Sequence, residues 1–193
     1  MGRMGVMDEA ERLEPASVEA WSQWLAEHHD EARGVWLVSR RRAADRVLSY
    51  EEGVLEALRY GWVDSTQKPV DESRSMMWFT PRRAASVWTR INKCRVARLE
   101  AAGLMEAAGA AAVAAAKDSG GWTLMDAVED LVVPDDLAAA FGAHPGSREH
   151  WDSFSASARK MVLTWIVLAK RPETRAVRVL TTAEKAARGE KAQ

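Results

Sequence analysis

The chain has 193 residues, of which 47% are hydrophobic and 28% charged, with a formal net charge of −1. That length suits one domain, or one with an appendage, whose core needs no covalent staple. A single cysteine, Cys94, excludes an internal disulfide and a Cys-rich metal centre, and the near-neutral charge argues against a general nucleic-acid binder. The opening stretch MGRMGVMDEAERLEP turns acidic without developing an apolar segment, and no apolar run approaches the ~20 residues of a membrane span. The expectation is a cytoplasmic protein with no signal peptide and no membrane insertion.

The charge is unevenly distributed. Residues 8–31 hold eight acids against Arg12, whereas residues 82–98 hold six bases and no acid, and a second basic stretch runs from Arg159 to Arg178. Such segments either create local positive potential or neutralise each other across the fold. Nine tryptophans, against two tyrosines and three phenylalanines, are the other compositional signal. Tryptophan combines a large apolar area with one N–H donor, so it suits cores, interfaces and ligand walls alike.

In chain order, Ser17 is placed to cap a helix reaching about His29, with Trp21, Trp24 and Leu25 at helical spacing. Val35–Val38 read as a buried strand that runs into a basic edge, SRRR. SYEE is a capping box, Ser49 with Glu52, opening a helix to Tyr60 that Gly61 ends. WVDSTQKPV and SRSMMWFTP are two candidate strands, the second stopping at Pro81. Ser86 is then the expected N-cap of a long helix to Ala102, with Trp88, Ile91, Leu99 and Ala102 on one face. Beyond Gly103 the chain is alanine-rich and helical. Short helices follow at Thr123 and at the PDD of residues 134–136, then a face of Trp151, Phe154, Ala158, Met161, Trp165 and Leu168. Arg171-Pro172 interrupts, and a last helix leads into a solvated tail. The fold class is therefore α+β: a small antiparallel sheet with packed helices in the N-terminal half and a helical C-terminal half. The division expected is a flexible segment at 1–16, an α+β core at 17–103, a helical region at 104–182 packed on that core, and a tail at 183–193.

Three blocks, ALRYGWVDSTQKPVD, FTPRRAASVWTRINKCRVARLEAAGLMEAAG and SARKMVLTWIVLAKRPETRAVRV, together with AWSQWLAEHHDEARGVWLV, resemble the bacterial YdeI/OmpD-associated, or bacteriocin-protection, family over almost the whole chain. The resemblance implies a role in envelope stress or bacteriocin resistance, with a periplasmic setting for some members, and brings no catalytic residue set. It also implies cysteine at the position held here by Arg59, whose loss speaks against redox chemistry.

The best site candidates are Trp62, Asp64, Arg82, Arg83, Trp88 and Asn92. Two basic residues just before a helix N-terminus suit a carboxylate or phosphate, and a tryptophan could wall the pocket. The competing reading is that Trp62 and Trp88 fill the core and Asp64 pairs with an arginine. Lys170, Arg175 and Arg178 form a secondary anion-binding candidate, because Arg175 and Arg178 share a helix face. No nucleophile elbow, Gly-rich phosphate loop or paired-histidine motif occurs, so no metal and no cofactor are expected, and Cys94, in mid-helix, reads as a buried thiol. The function expected is a non-enzymatic module binding a small anionic molecule or a protein partner through a Trp/Arg-rich face, with Arg82 as a solvent-facing charge. The alternatives are a hydrolase or transferase built on Asp64 with Arg82 or Arg83, and weak nucleic-acid binding by the two basic segments.

Overall fold

The computed structural model describes residues 7–192, and of Ala43 the backbone alone. Its described residues form two compact units. The first comprises the described chain up to Ser86 together with Ile91–Ser119; the second comprises Val87–Arg90 and the described residues from Gly120 onward.

The first unit is built on a four-stranded sheet in the order β1-β2-β4-β3. Its strands are β1 (Arg12–Leu13), β2 (Val35–Arg40), β3 (Trp62–Pro69) and β4 (Arg74–Pro81). Pairs β2/β4 and β4/β3 are antiparallel, as the alternating patterns predict. The short β1 adds a parallel pair on β2, so the sheet is mixed. Two residues of strand carry too little pattern to be read from sequence. Residues 7–13, inside the segment expected to be flexible, are held by this pairing and by the Trp36 indole, which donates to the Met7 carbonyl at 2.8 Å.

Both faces of the sheet are apolar. Val35–Val38 are all buried, which requires cover above and below. On one face, Val35 and Leu37 lie opposite Phe79 and Met77. Helices α1 (Val18–His28) and α2 (Tyr50–Arg59) cover that face. Trp21 meets Phe79 edge-on at 5.6 Å and donates its indole N–H to the Gly53 carbonyl. Trp62 meets Trp24 at right angles at 5.8 Å. On the other face, Trp36, Val38, Met76 and Trp78 form a second cluster, against which Met7, Ala10 and Val70 pack. Both helix starts agree with the sequence: Ser17 accepts from the Ala20 N–H, and Ser49 and Glu52 close a full capping box. Gly61, at φ 74°, ends α2 as its sequence position predicts.

Helix α3 (Arg90–Ala101) begins three residues later than expected, and Ser86 lies in the loop before it. Its buried residues are Arg95, Val96 and Leu99, whereas Ile91 is exposed and Cys94 is an exposed free thiol rather than a buried one. Helix α4 (Ala107–Asp118) belongs to the first unit, so the boundary falls at Ser119 and not at Gly103. Its small residues explain this. A Cβ on Gly109 would sit 2.2 Å from the Arg59 carbonyl oxygen, so this face of α4 lies directly on the end of α2. Arg59, oriented by Glu56 of its own helix at 2.6 Å, reinforces the contact through Glu106 at 2.9 Å and the Leu104 carbonyl. Arg59, where the resemblance implied a cysteine, is thus a structural tie.

The second unit is helical, with α5 (Asp126–Glu129), α6 (Asp135–Ala143), α7 (Ser147–Ser153), α8 (Ala156–Val167) and α9 (Pro172–Ala187). Its core gathers Leu137, Phe141, Trp151, Val162, Ile166, Val179 and Ala183. The single face expected from Trp151 to Leu168 is split at Ser155, which caps α8 by accepting from Ala158 N–H. That break re-phases α8, so Ala158, Val162, Leu163 and Ile166 point inward while Met161 and Leu168 are exposed. Helix α9 continues into the expected tail, with Ala183 and Ala186 buried.

The close approach at Gly109 makes a prediction. Gly109→Ala forces its methyl against backbone and should cost roughly 2–3 kcal/mol in urea unfolding. Gly142→Ala, in open space within α6, should instead be neutral or stabilise by up to about 1 kcal/mol. Equal midpoints for the two variants would contradict the packing described.

Candidate functional site

The predicted residues separate onto the two faces of the sheet. Trp62 and Asp64 share the helix-covered face, because Asp64 lies opposite Phe79. Trp62 is 1% exposed and donates its indole N–H to the His29 carbonyl at 3.1 Å. Trp88 is also 1% exposed and packs at 5.2 Å on Trp122 within the second unit. Both tryptophans are core, not ligand wall. The expected Trp-rich face does not form: six of the nine indoles are buried and Trp24, Trp122 and Trp165 are only half-exposed. The largest side chains have the most to gain from burial.

Asp64 belongs to a polar network beside α2. It accepts a 2.8 Å hydrogen bond from the Tyr50 hydroxyl. The Arg95 guanidinium lies 5.8 Å from the Tyr50 ring centroid. Arg95 is 5% exposed and donates twice to the Glu51 carboxylate, at 3.0 and 2.5 Å, and once to Asn92 Oδ1 at 2.8 Å. Arg98 adds a further contact to Glu51 at 3.1 Å. Hydrogen bonding to Glu51 raises the Arg95 pKa against the pull of burial, and the reciprocal bond lowers that of Glu51. Burial, then the bond to Asp64, pushes the Tyr50 phenol up, so its proton stays in place as a donor. These carboxylates are occupied by phenol or guanidinium, and Asn92 orients Arg95 instead of facing a ligand.

Arg82 is not the solvent-facing charge expected. Burial pulls its guanidinium down to about 10, with the nearby negative charge of Asp64 opposing that shift. The helix N-terminus expected beside it lies farther along the chain. There the Arg90 N–H donates to the Glu129 carboxylate at 2.8 Å, and the Arg90 side chain pairs with Asp130 at 2.6 Å. The anion that such an end attracts is supplied by the protein itself.

Arg83 is exposed and lies elsewhere, on the other face of the sheet. Met7, Arg33, Val63, Ser65, Trp78, Thr80, Pro81, Arg83 and Ser86 line a cleft of about 630 Å³ there. Val63 lies opposite Thr80, one residue out of phase with Asp64, which is why the cleft and the polar network occupy different faces. The wall combines Trp78 and Val63 with three hydroxyls, and among the described residues its charged members are two arginines. Neither Arg33 nor Arg83 has an ion pair among the described residues.

The secondary anion candidate also separates. Arg175 is engaged by Asp136 in a two-point pair at 2.7 and 3.0 Å. Arg178 donates to the Trp165 carbonyl and lies 5.0 Å from that ring's centroid. Lys170 is exposed outside the last two helices. No group of three or more His, Cys, Asp or Glu among the described residues could hold a metal, and no helix among them is long and apolar enough to cross a membrane.

Sequence reasoning passed over Tyr50, Glu51, Arg95 and Arg33. Arg95 carried a usable signal, since it stands four residues before Leu99 on the buried face of α3 and therefore demands a carboxylate. Arg33 carried none; only the strand register brings it beside Arg83.

Two predictions follow from the network. Arg95→Ala should destabilise the protein by about 2 kcal/mol, below the full cost of a buried pair because Glu51 is partly solvated. Arg95→Lys should recover less than half of that in the same urea titration, because an ammonium cannot reproduce the fork. Glu51 has a native pKa below its ordinary value of 4.5. Its contribution is complete above that value and is lost as pH falls through the lowered native one. Glu51→Gln should therefore flatten the fall in melting temperature between about pH 5 and pH 3, while leaving its shape above pH 6 unchanged.

Residues 13–112 match the family described as a domain of unknown function, DUF8412. Residues 130–189 match the family described as Bacteriocin-protection, YdeI or OmpD-Associated. No curated protein and no solved structure matches the chain. The first match spans more than half of the sequence and the second bears out the resemblance in its C-terminal block: the chain belongs to the DUF8412 family and carries a YdeI/OmpD-associated domain behind it.

Proposed function

We propose that the protein is a non-enzymatic binding module whose ligand is a small organic anion, taken up in the cleft between Arg33, Arg83 and Trp78. The observation that carries this reading is the pairing of two guanidinium groups, without ion partners among the described residues, on one cleft with an apolar wall. Its volume of about 630 Å³ lies within the range of small-molecule sites. Guanidinium groups bind carboxylate or phosphate through charge-assisted hydrogen bonds. Trp78 and Val63 suit an aromatic or aliphatic body, and Ser65, Thr80 and Ser86 can orient its polar substituents.

The lining supports binding over turnover. Among the described residues it contains no carboxylate and no imidazole to serve as a general base, and Asp64, the acid of the enzymatic alternative, faces the opposite side of the sheet. A cytoplasmic setting agrees with Cys94, an exposed free thiol that a reducing compartment preserves. Bacteriocin protection, the process in the name of the family matched at 130–189, is the physiological context proposed for this binding.

Phenyl phosphate, benzoate and benzyl alcohol test the reading in a thermal-shift titration. The two anions should raise the melting temperature and the neutral alcohol should not. Arg83→Ala should weaken phenyl phosphate binding by about 10- to 100-fold, yet alter stability by less than about 0.5 kcal/mol, as expected of an exposed charge. Failure of both anions to shift the transition, or full retention of binding in Arg83→Ala, would exclude this cleft as the site.

A further inference from the structure

The basic edge at the far end of β2 forms a second positively charged surface, separate from the cleft of Arg33 and Arg83. Residues 39–46, SRRRAADR, hold four arginines against one acid, Asp45. Arg40 is met by Glu14, and Arg74, its partner in the strand register, by Glu14 and Asp71. Arg41, Arg42 and Arg46 have no carboxylate partner among the described residues, nor does Lys68. Two of these guanidinium groups are nonetheless fixed in place. Arg41 donates through Nε to the Arg74 carbonyl at 3.2 Å. Arg46 donates to the carbonyls of Arg40 and Arg41, at 3.1 and 2.8 Å. A carbonyl orients a guanidinium without cancelling its charge, so these groups are ordered before a ligand arrives and their remaining N–H donors stay available.

The surface is concave. Arg41, Lys68, Gln67, Pro69 and Ser75 line a cleft of about 390 Å³. Gln67 and Ser75 also line an adjoining smaller cleft whose wall includes Tyr50. Tyr50 is half exposed, its hydroxyl is held by Asp64, and Arg95 lies against its ring. The irregularity in β3 between Asp64 and Gln67 brings this about: it sets Gln67 opposite Met77, on the Tyr50 side, and turns Lys68 to the Trp36 side, where its ammonium lies 5.0 Å from the indole centroid. Arg41 thus leads, through Gln67 and Ser75, to an immobilised aromatic ring, while Lys68 borders the same cleft from the Trp36 side of the edge strand β3.

We propose that this surface binds a single-stranded nucleic acid, its phosphates against Arg41, Arg46 and Lys68 and one base stacked on Tyr50. Fixed guanidinium groups beside an ordered aromatic ring are what a sugar-phosphate chain with exposed bases recognises. An acidic peptide could satisfy the cations but would make no use of the ring. The near-neutral total charge does not oppose this, because the potential is local.

Fluorescence anisotropy with labelled oligothymidylate and oligouridylate of about twelve nucleotides, and an oligoglutamate of equal length, tests the proposal. Either oligonucleotide should bind with log Kd rising against log salt at a slope of about 2, as for three released counterions on a single strand. The double variant Arg41→Ala/Arg46→Ala should lower that slope by about 1.4. Tyr50→Leu should weaken binding about tenfold at unchanged slope, with far-ultraviolet circular dichroism confirming that it folds. An oligoglutamate bound as tightly as the oligonucleotides, an unchanged slope in the double variant, or no effect of Tyr50→Leu would each overturn the proposal. Arg83→Ala tests the small-anion cleft alone, so the two readings can fail separately.

Discussion

The N-terminal unit depends on a sheet that is apolar on both faces. In β2, four consecutive residues from Val35 to Val38 are buried, and β4 alternates Met76 and Trp78 on one side with Met77 and Phe79 on the other. Such a sheet cannot stand half-solvated, so each face must be covered by something else in the chain. Helices α1 and α2 cover the Phe79 side. On the Trp78 side the described N-terminal residues do so, through the Met7 carbonyl, Ala10 and the short β1. Among the described residues of this unit, the cover on that side is a strand of two residues and a few side chains. It leaves the cleft bordered by Arg33 and Arg83. The binding site proposed for the protein is therefore a consequence of how the second face is closed.

The same sheet sorts the charges. Acid and base on the helix side are spent on one another: Arg95 with Glu51, Tyr50 with Asp64, Arg98 with Glu51. At a buried position an unpartnered ion would cost more than the pair recovers, so Arg95 is placed where Glu51 can reach it. Arg59 does similar work between α2 and α4. Four arginines with no ion partner among the described residues lie at the periphery of this sheet, Arg33 and Arg83 on one cleft and Arg41 and Arg46 at the end of β2. Solvent stabilises these charges in the free protein, and a ligand anion can take its place.

Within the second unit the packing follows a different rule. Helices α6 to α9 gather their apolar stripes around Trp151, while Arg175 is matched to Asp136 and Arg178 to the Trp165 carbonyl and ring. The basic stretch that looked able to grip an anion is thereby engaged internally. Spacing on a helix says which residues share a face, but not whether a neighbouring helix already supplies the counter-charge.

Much was legible in the sequence because it depends on residues close in the chain. The caps at Ser17 and Ser49, the end of α2 at Gly61 and the antiparallel β3/β4 hairpin are all local. Each needs only a hydrogen bond or a backbone preference within a few residues. The start of α3 at Arg90, the exposure of Ile91 and Met161, and the burial of Arg95 were not legible, because they depend on which partner each segment meets. The same holds for the site. The sequence by itself singled out Asp64, Arg82, Arg83 and Asn92 as one neighbourhood. The tertiary structure placed Asp64 on one face and Val63 and Thr80, which line the cleft with Arg83, on the other, because side chains one residue out of phase on a paired strand point to opposite sides.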